Sequence, residues 1–169
     1  MKSLKTSFLI FSFVVLISSS FAQNKQPQKI DEFGDLDCEA AWARLDSFII
    51  SIQNEPSAKA YILYYGGKRY KNGYVYNKKI KKDVQIFSLP KRGEAHGTVL
   101  RWRQYLVNFR GIDPERIVLV DGGYRENHSV DLWLVPANAK PPKPTPTLKE
   151  KDIKFRKGKA SDKNCGELG

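Results

Sequence analysis

Residues 93–136 read GEAHGTVLRWRQYLVNFRGIDPERIVLVDGGYRENHSVDLWLVP, and this stretch decides the fold. Val99, Trp102, Leu106 and Phe109 recur at the spacing of one helical face. Gly111 stands where a left-handed cap closes a helix, and Pro114 follows where the helix can no longer continue. Ile117-Val118-Leu119-Val120 is a short apolar run fit for a strand buried on both faces. Val130, Leu132 and Leu134 alternate with Asp131 and Trp133, the pattern of a strand with one wetter face. Helix, strand, turn and strand make an α/β unit.

Upstream, Trp42, Leu45, Phe48, Ile49 and Ile52 mark the apolar face of an earlier helix. Residues 31–37 are an acidic lead-in that suits the helix dipole, with Asp35 or Asp37 as its N-cap. Asn54 and Pro56 end that helix. AYILYY at residues 60–65 reads as a strand stopped by Gly66-Gly67. Asn72-Gly73, between Tyr70 and Tyr74-Val75-Tyr76, is a hairpin-turn signal, and residues 84–87 form another short strand. Downstream, residues 141–146 (PPKPTP) predict an extended spacer. One further strand is expected at 153–156.

The first 22 residues are set apart. Lys2 and Lys5 precede the apolar run 8–17, and Ser20-Phe21-Ala22 supplies a small-x-small cleavage pattern, so a signal peptide cut after Ala22 is expected. That run is too short for a permanent membrane span. Export places the mature chain in the periplasm or outside the cell, without stable membrane insertion. The formal net charge of +11 falls to +9 without Lys2 and Lys5, and it is segregated. Residues 31–61 carry seven acidic and two basic side chains, whereas 67–92 carry nine basic ones against Asp83 alone. Clustered charge steers toward an anionic surface, and export argues against nucleic acid as that surface. In an oxidising compartment the pair Cys38 and Cys165 is expected to form a disulfide. No cofactor and no metal site are expected, since His96 and His128 lie far from both cysteines.

No Gly-x-Ser-x-Gly, His-Glu-x-x-His or phosphate-binding loop motif is present. Glu94 and His96, two residues apart on a helix, point to different faces. Asp121 before Gly122-Gly123 reads as a turn residue. The tyrosines at 64, 65, 70, 74 and 76 interleave with Lys68, Arg69, Lys71, Lys78 and Lys79. Aromatic and cationic groups together can stack on sugars and pair with acidic groups. The competing reading is a ribbon whose tyrosines pack on one another and whose lysines keep its edge soluble.

Tyr105-Leu106, Gly111-Ile112, Arg116-Ile117, Gly122-Gly123-Tyr124-Arg125-Glu126 and Asn127-His128-Ser129-Val130-Asp131-Leu132 together resemble the OmpA-like domain. This is the peptidoglycan-binding module at the C-terminus of outer-membrane protein A. The resemblance spans roughly residues 36–136. It implies an α/β (α+β) sandwich, helices packed on one face of a small mixed sheet, with the basic stretch as a β-hairpin-like insertion. Family members hold the diaminopimelate of the stem peptide with an Asp after the first strand and an Arg in the next helix. Those positions carry Lys68 and Thr98 here. Arg101, one turn along, is a partial stand-in, and the family's final Arg-Arg has become His128-Ser129.

The expected organisation is therefore a signal peptide (1–22), a disordered N-terminus (23–30), an OmpA-like domain (31–136) with a basic insertion (67–92), a Pro-rich linker (137–147) and a basic tail (148–169). The expected function is non-catalytic association with an anionic envelope polymer, with Lys68, Arg69, Arg101 and Arg125 as binding residues. The alternatives are a protein–protein adaptor and, last, an enzyme using Asp121, Glu126 and His128.

Overall fold

The computed structural model describes residues 26–160. The expected signal peptide, the pairing partner Cys165 and the end of the tail lie outside the described residues. The fold is α+β. Five strands, β1 (Gln28–Phe33), β2 (Lys59–Asn77), β3 (Lys82–Ser88), β4 (Ile117–Asn127) and β5 (Ser129–Val135), accompany two helices, α1 (Cys38–Asn54) and α2 (Glu94–Gln104). The main sheet runs β1, β5, β2, β4, with β4 parallel to β2 and the other pairs antiparallel. Beyond this sheet the far half of β2 pairs with β3.

Both helices cover one face. Leu45, Phe48 and Ile52 of α1 and Val99 and Trp102 of α2 meet Ala60, Ile62 and Tyr64 of β2 and Val130, Leu132 and Leu134 of β5 in one buried cluster. The alternating residues Tyr65, Asp131 and Trp133 therefore belong to the opposite face, as the strand period requires. Asp37 caps α1, its carboxylate accepting from the Ala40 amide at 2.8 Å. At the other end Arg116 donates to the carbonyls of Ile52, Glu55 and Ala58 at 2.7–3.2 Å, satisfying acceptors that a helix terminus leaves open. α2 continues as a π turn, Tyr105–Phe109, and closes on Gly111 at φ 67°.

Several sequence expectations need correction. Residues 28–30 are the start of β1, because β5 offers a paired edge to that part of the N-terminus. Gly66-Gly67 does not stop β2. A Cβ on Gly66 would lie 2.7 Å from the Tyr124 ring, and one on Gly67 would lie 2.3 Å from the His128 amide nitrogen. The glycines let β4 and the β4–β5 turn approach closely. Asn72-Gly73 makes no hairpin turn either; it sits at a register shift within β2, and the chain reverses at residues 78–81. Ile117 is buried, but Val118, Leu119 and Val120 are only half-buried, since among the described residues β4 pairs with β2 alone within the main sheet. Asp131 is buried rather than wet, because Arg125 and Lys29 reach it.

The Pro-rich segment is extended but docked. The Thr147 and Leu148 amides donate to the Tyr124 carbonyl, and the Thr145 amide donates to the Tyr65 hydroxyl. Residues 153–156 form no strand. A 3-10 turn, Glu150–Asp152, precedes them, Ile153 is buried, and the Arg156 amide donates to the Pro90 carbonyl.

Candidate functional site

Past Gly67 the chain leaves the main sheet as a two-stranded arm, residues 70–77 of β2 against β3. Its large apolar side chains are uncovered: Tyr74 is 68% exposed, Tyr76 57%, Val75 53% and Ile80 56%. Lys78, Lys79, Lys81 and Lys82 crowd the turn, with Lys81 at φ 51°. The Asn77 carboxamide oxygen accepts from the Lys79 amide at 3.0 Å and shapes this turn. Two strands with no third layer are marginal alone, so the arm depends on its root.

At that root lies a cleft of about 230 Å³ between the start of α1, β2 and α2. Asp35, Tyr70, Glu94, Thr98, Arg101 and His128 line it. Asp35 accepts from the Lys71 amide at 2.9 Å, which pins the arm to the β1–α1 loop. Burial pushes its carboxyl above the ordinary value, opposed by that amide. His128 is 4% exposed, with Nδ1 2.9 Å from the Tyr65 carbonyl. A carbonyl only accepts, so Nδ1 carries the proton. Burial holds this imidazole below its usual value, against the pull of nearby Asp35. The Tyr70 ring stacks on it at 5.1 Å, and burial raises the Tyr70 hydroxyl pKa, helped by Glu94 and Asp35. Arg101 donates to the Thr98 hydroxyl at 3.2 Å. The cleft thus presents carboxylates and a guanidinium together.

The four expected binding residues part company. Lys68 pairs with Glu126 at 2.9 Å on an exposed surface, and the Arg69 guanidinium covers the Phe87 ring at 4.5 Å. Arg101 enters the cleft. Arg125 turns to the sheet face away from the helices, 3.4 Å from the Tyr65 ring centre, and donates to Ser129, Asp131 and Thr145. It is a structural tie there.

Asp121, Glu126 and His128 each have a different partner: the Gly123 amide, Lys68 and the Tyr65 carbonyl. His96 meets the Tyr64 hydroxyl at 2.8 Å, and burial, then Asp121, pushes that tyrosine up to about 12. Tyr70 belongs to the interleaved tyrosines that the sequence marks, whereas Asp35 is not marked there as a binding residue. Asp35 looked like one of two possible helix caps, and only the return of β2 gives it another role. Among the described residues no cluster of three His, Cys, Asp or Glu side chains could hold a metal.

No family model, curated protein or solved structure matches the chain.

Proposed function

We propose that this protein is a non-catalytic, exported module of the cell envelope, a divergent OmpA-like domain that associates with an anionic polymer of peptidoglycan type. The arm carries the proposal. It combines lysines at its tip with uncovered tyrosine faces, and an apolar surface of this kind beside concentrated charge marks an interaction site. Tyrosine faces stack on sugar rings, and ammonium groups pair with the polymer's carboxylates. The order helix, strand, helix, strand, strand after β1, interrupted only by the arm's β3, supports the family reading. So does the cleft at the arm's root. Lys68 and Thr98 replace the family's Asp and Arg, but Asp35, Glu94 and Arg101 bring the same two chemistries to that cleft from other positions. Arg125 is left out of the binding surface.

Co-sedimentation of residues 23–169 with purified peptidoglycan, at low and high salt, tests this. Pelleting at low salt that is lost in a Lys78→Glu/Lys79→Glu/Lys82→Glu variant is expected, because exposed charge pairs weaken as ionic strength rises. A protein that stays in the supernatant at both salt concentrations overturns the proposal. The adaptor reading would then lead, with β3 as its docking strand: Val84 and Ile86 are exposed on it, and among the described residues β2 is its one partner strand.

A further inference from the structure

β3 (Lys82–Ser88) is the outer strand of the arm, and among the described residues it pairs with β2 alone, which leaves its other edge open. Natural sheets guard such an edge with lysines, prolines or bulges, because its free N–H and C=O groups accept another strand. The middle of β3, Val84-Gln85-Ile86-Phe87, holds no lysine and no proline, and the arm's register shift lies in β2. Val84 and Ile86 are each 38% exposed and Phe87 44%. Val75 beside Val84 on one face of the arm, and Tyr74 beside Gln85 on the other, are equally uncovered.

This strand is complementary to itself. Laid antiparallel against β3 of a second copy with Gln85 on the two-fold axis, all seven residues find a counterpart. Val84 of each chain then faces Ile86 of the other, Asp83 faces Phe87, and Lys82 faces Ser88. Two pairs of β-branched side chains meet, the kind of cross-strand contact that stabilises a sheet. Asp83, the one acidic residue between 67 and 92, is exposed and has no ion pair among the described residues. The pairing sets it beside a Phe87 ring that already carries the Arg69 guanidinium at 4.5 Å. Opposite charges are thus brought together twice by symmetry. The lysines of the turn do not oppose this, because antiparallel strands send them to opposite ends. Lys82 of one chain lies about 20 Å along the strand from Lys82 of the other, beyond the screening length of about 8 Å at physiological salt.

We propose that the chain self-associates through β3, two copies joining edge to edge across a two-fold axis into one four-stranded antiparallel sheet. A seven-residue edge is a small interface, so the dimer forms with rising concentration rather than permanently. Its formation gives the marginal two-stranded arm two further strands. It needs no polymer and leaves the Tyr74 and Tyr76 faces open.

Sedimentation velocity of residues 23–169, without polymer and over a range of concentrations, tests this. The mass should rise toward twice that of one chain. The double variant Val84→Lys/Ile86→Lys changes two exposed positions and sets like charges directly opposite one another. It should weaken association by about tenfold, with thermal unfolding as the check that it stays folded. A short bis-maleimide reads the register. Gln85→Cys should be linked to its own copy, whereas Asp83→Cys, whose two copies stand about 14 Å apart along the strand, should not. A monomer at every concentration overturns the proposal, as does a dimer that the double variant leaves unchanged. Equal linking of Gln85→Cys and Asp83→Cys also overturns it. Because these samples hold no polymer, failure of peptidoglycan pelleting and failure of self-association are separate results.

Discussion

Replacing Gly67 by alanine tests the close approach that sets the fold's geometry. The added Cβ would lie 2.3 Å from the His128 nitrogen, 2.9 Å from the Asn127 carbonyl carbon and 3.0 Å from the Arg69 oxygen, all of them backbone. Carbon contacts settle at about 3.5–4.0 Å, so β2 and the β4–β5 turn would have to part by about 1 Å. Here Gly67 pairs with Arg125, and Arg69 with Asn127. Overpacking costs about 1–3 kcal/mol, and each ladder hydrogen bond lost adds about 1 kcal/mol. We therefore expect a loss of about 4 kcal/mol, a large share of the 5–15 kcal/mol typical of a domain. Gly66→Ala gives a built-in comparison, because its Cβ would meet only the half-buried Tyr124 ring at 2.7 Å. A ring can swing aside, so about 1–2 kcal/mol is expected, and less in a Tyr124→Ala background. Urea unfolding followed by tryptophan fluorescence and far-UV circular dichroism reads both. A Gly67→Ala protein within about 0.5 kcal/mol of the parent, or more stable than Gly66→Ala, would refute the reasoning.

Arg116→Ala should lose about 2–3 kcal/mol, since one guanidinium serves three carbonyls around the end of α1 and charge-assisted bonds are the strong ones; an unchanged urea midpoint would contradict it. The buried imidazole of His128 has its pKa lowered by burial, so below its ordinary value of 6.5 the unfolded chain binds the proton more readily than the folded one. Stability should therefore fall as pH drops through 6.5 toward the depressed folded value. The fall should shrink in His128→Gln, and equal slopes in both proteins would count against the buried neutral imidazole. Ile80→Asp at the arm's turn should leave thermal stability within about 0.5 kcal/mol of the parent while reducing peptidoglycan pelleting; a large stability loss would mean that the turn packs against the body. The expected Cys38–Cys165 disulfide should leave no titratable thiol in denaturant without reductant, and two thiols would rule it out.

What the chain states locally is recovered in the structure. The first helix face, the second as far as Leu106, the cap at Asp37 and the left-handed close at Gly111 rest on residues within a turn or two of one another, and local spacing carries them; the π turn at 105–109 shifts the spacing and leaves Phe109 exposed. The crowding of positive charge between residues 67 and 92 is likewise written in order along the chain. What the sequence does not state is which distant segment each residue meets. Gly66-Gly67 reads as punctuation until Tyr124 and His128, about sixty positions on, are laid against it. Asn72-Gly73 resembles a turn, but β3 pairs on both sides of it and carries the strand through. Arg125 looks like a ligand-binding cation until Tyr65, Asp131 and Thr145 surround it, and the proline run looks like a spacer until Tyr65 and Tyr124 hold it down. Local propensity costs or contributes about 1 kcal/mol per residue, and contacts of this kind outweigh it. Composition and periodicity thus determined the two helices, the start of β2, β5 and the charge, but not β1. The tertiary structure alone decided which face each side chain serves, because that depends on partners the local sequence does not contain.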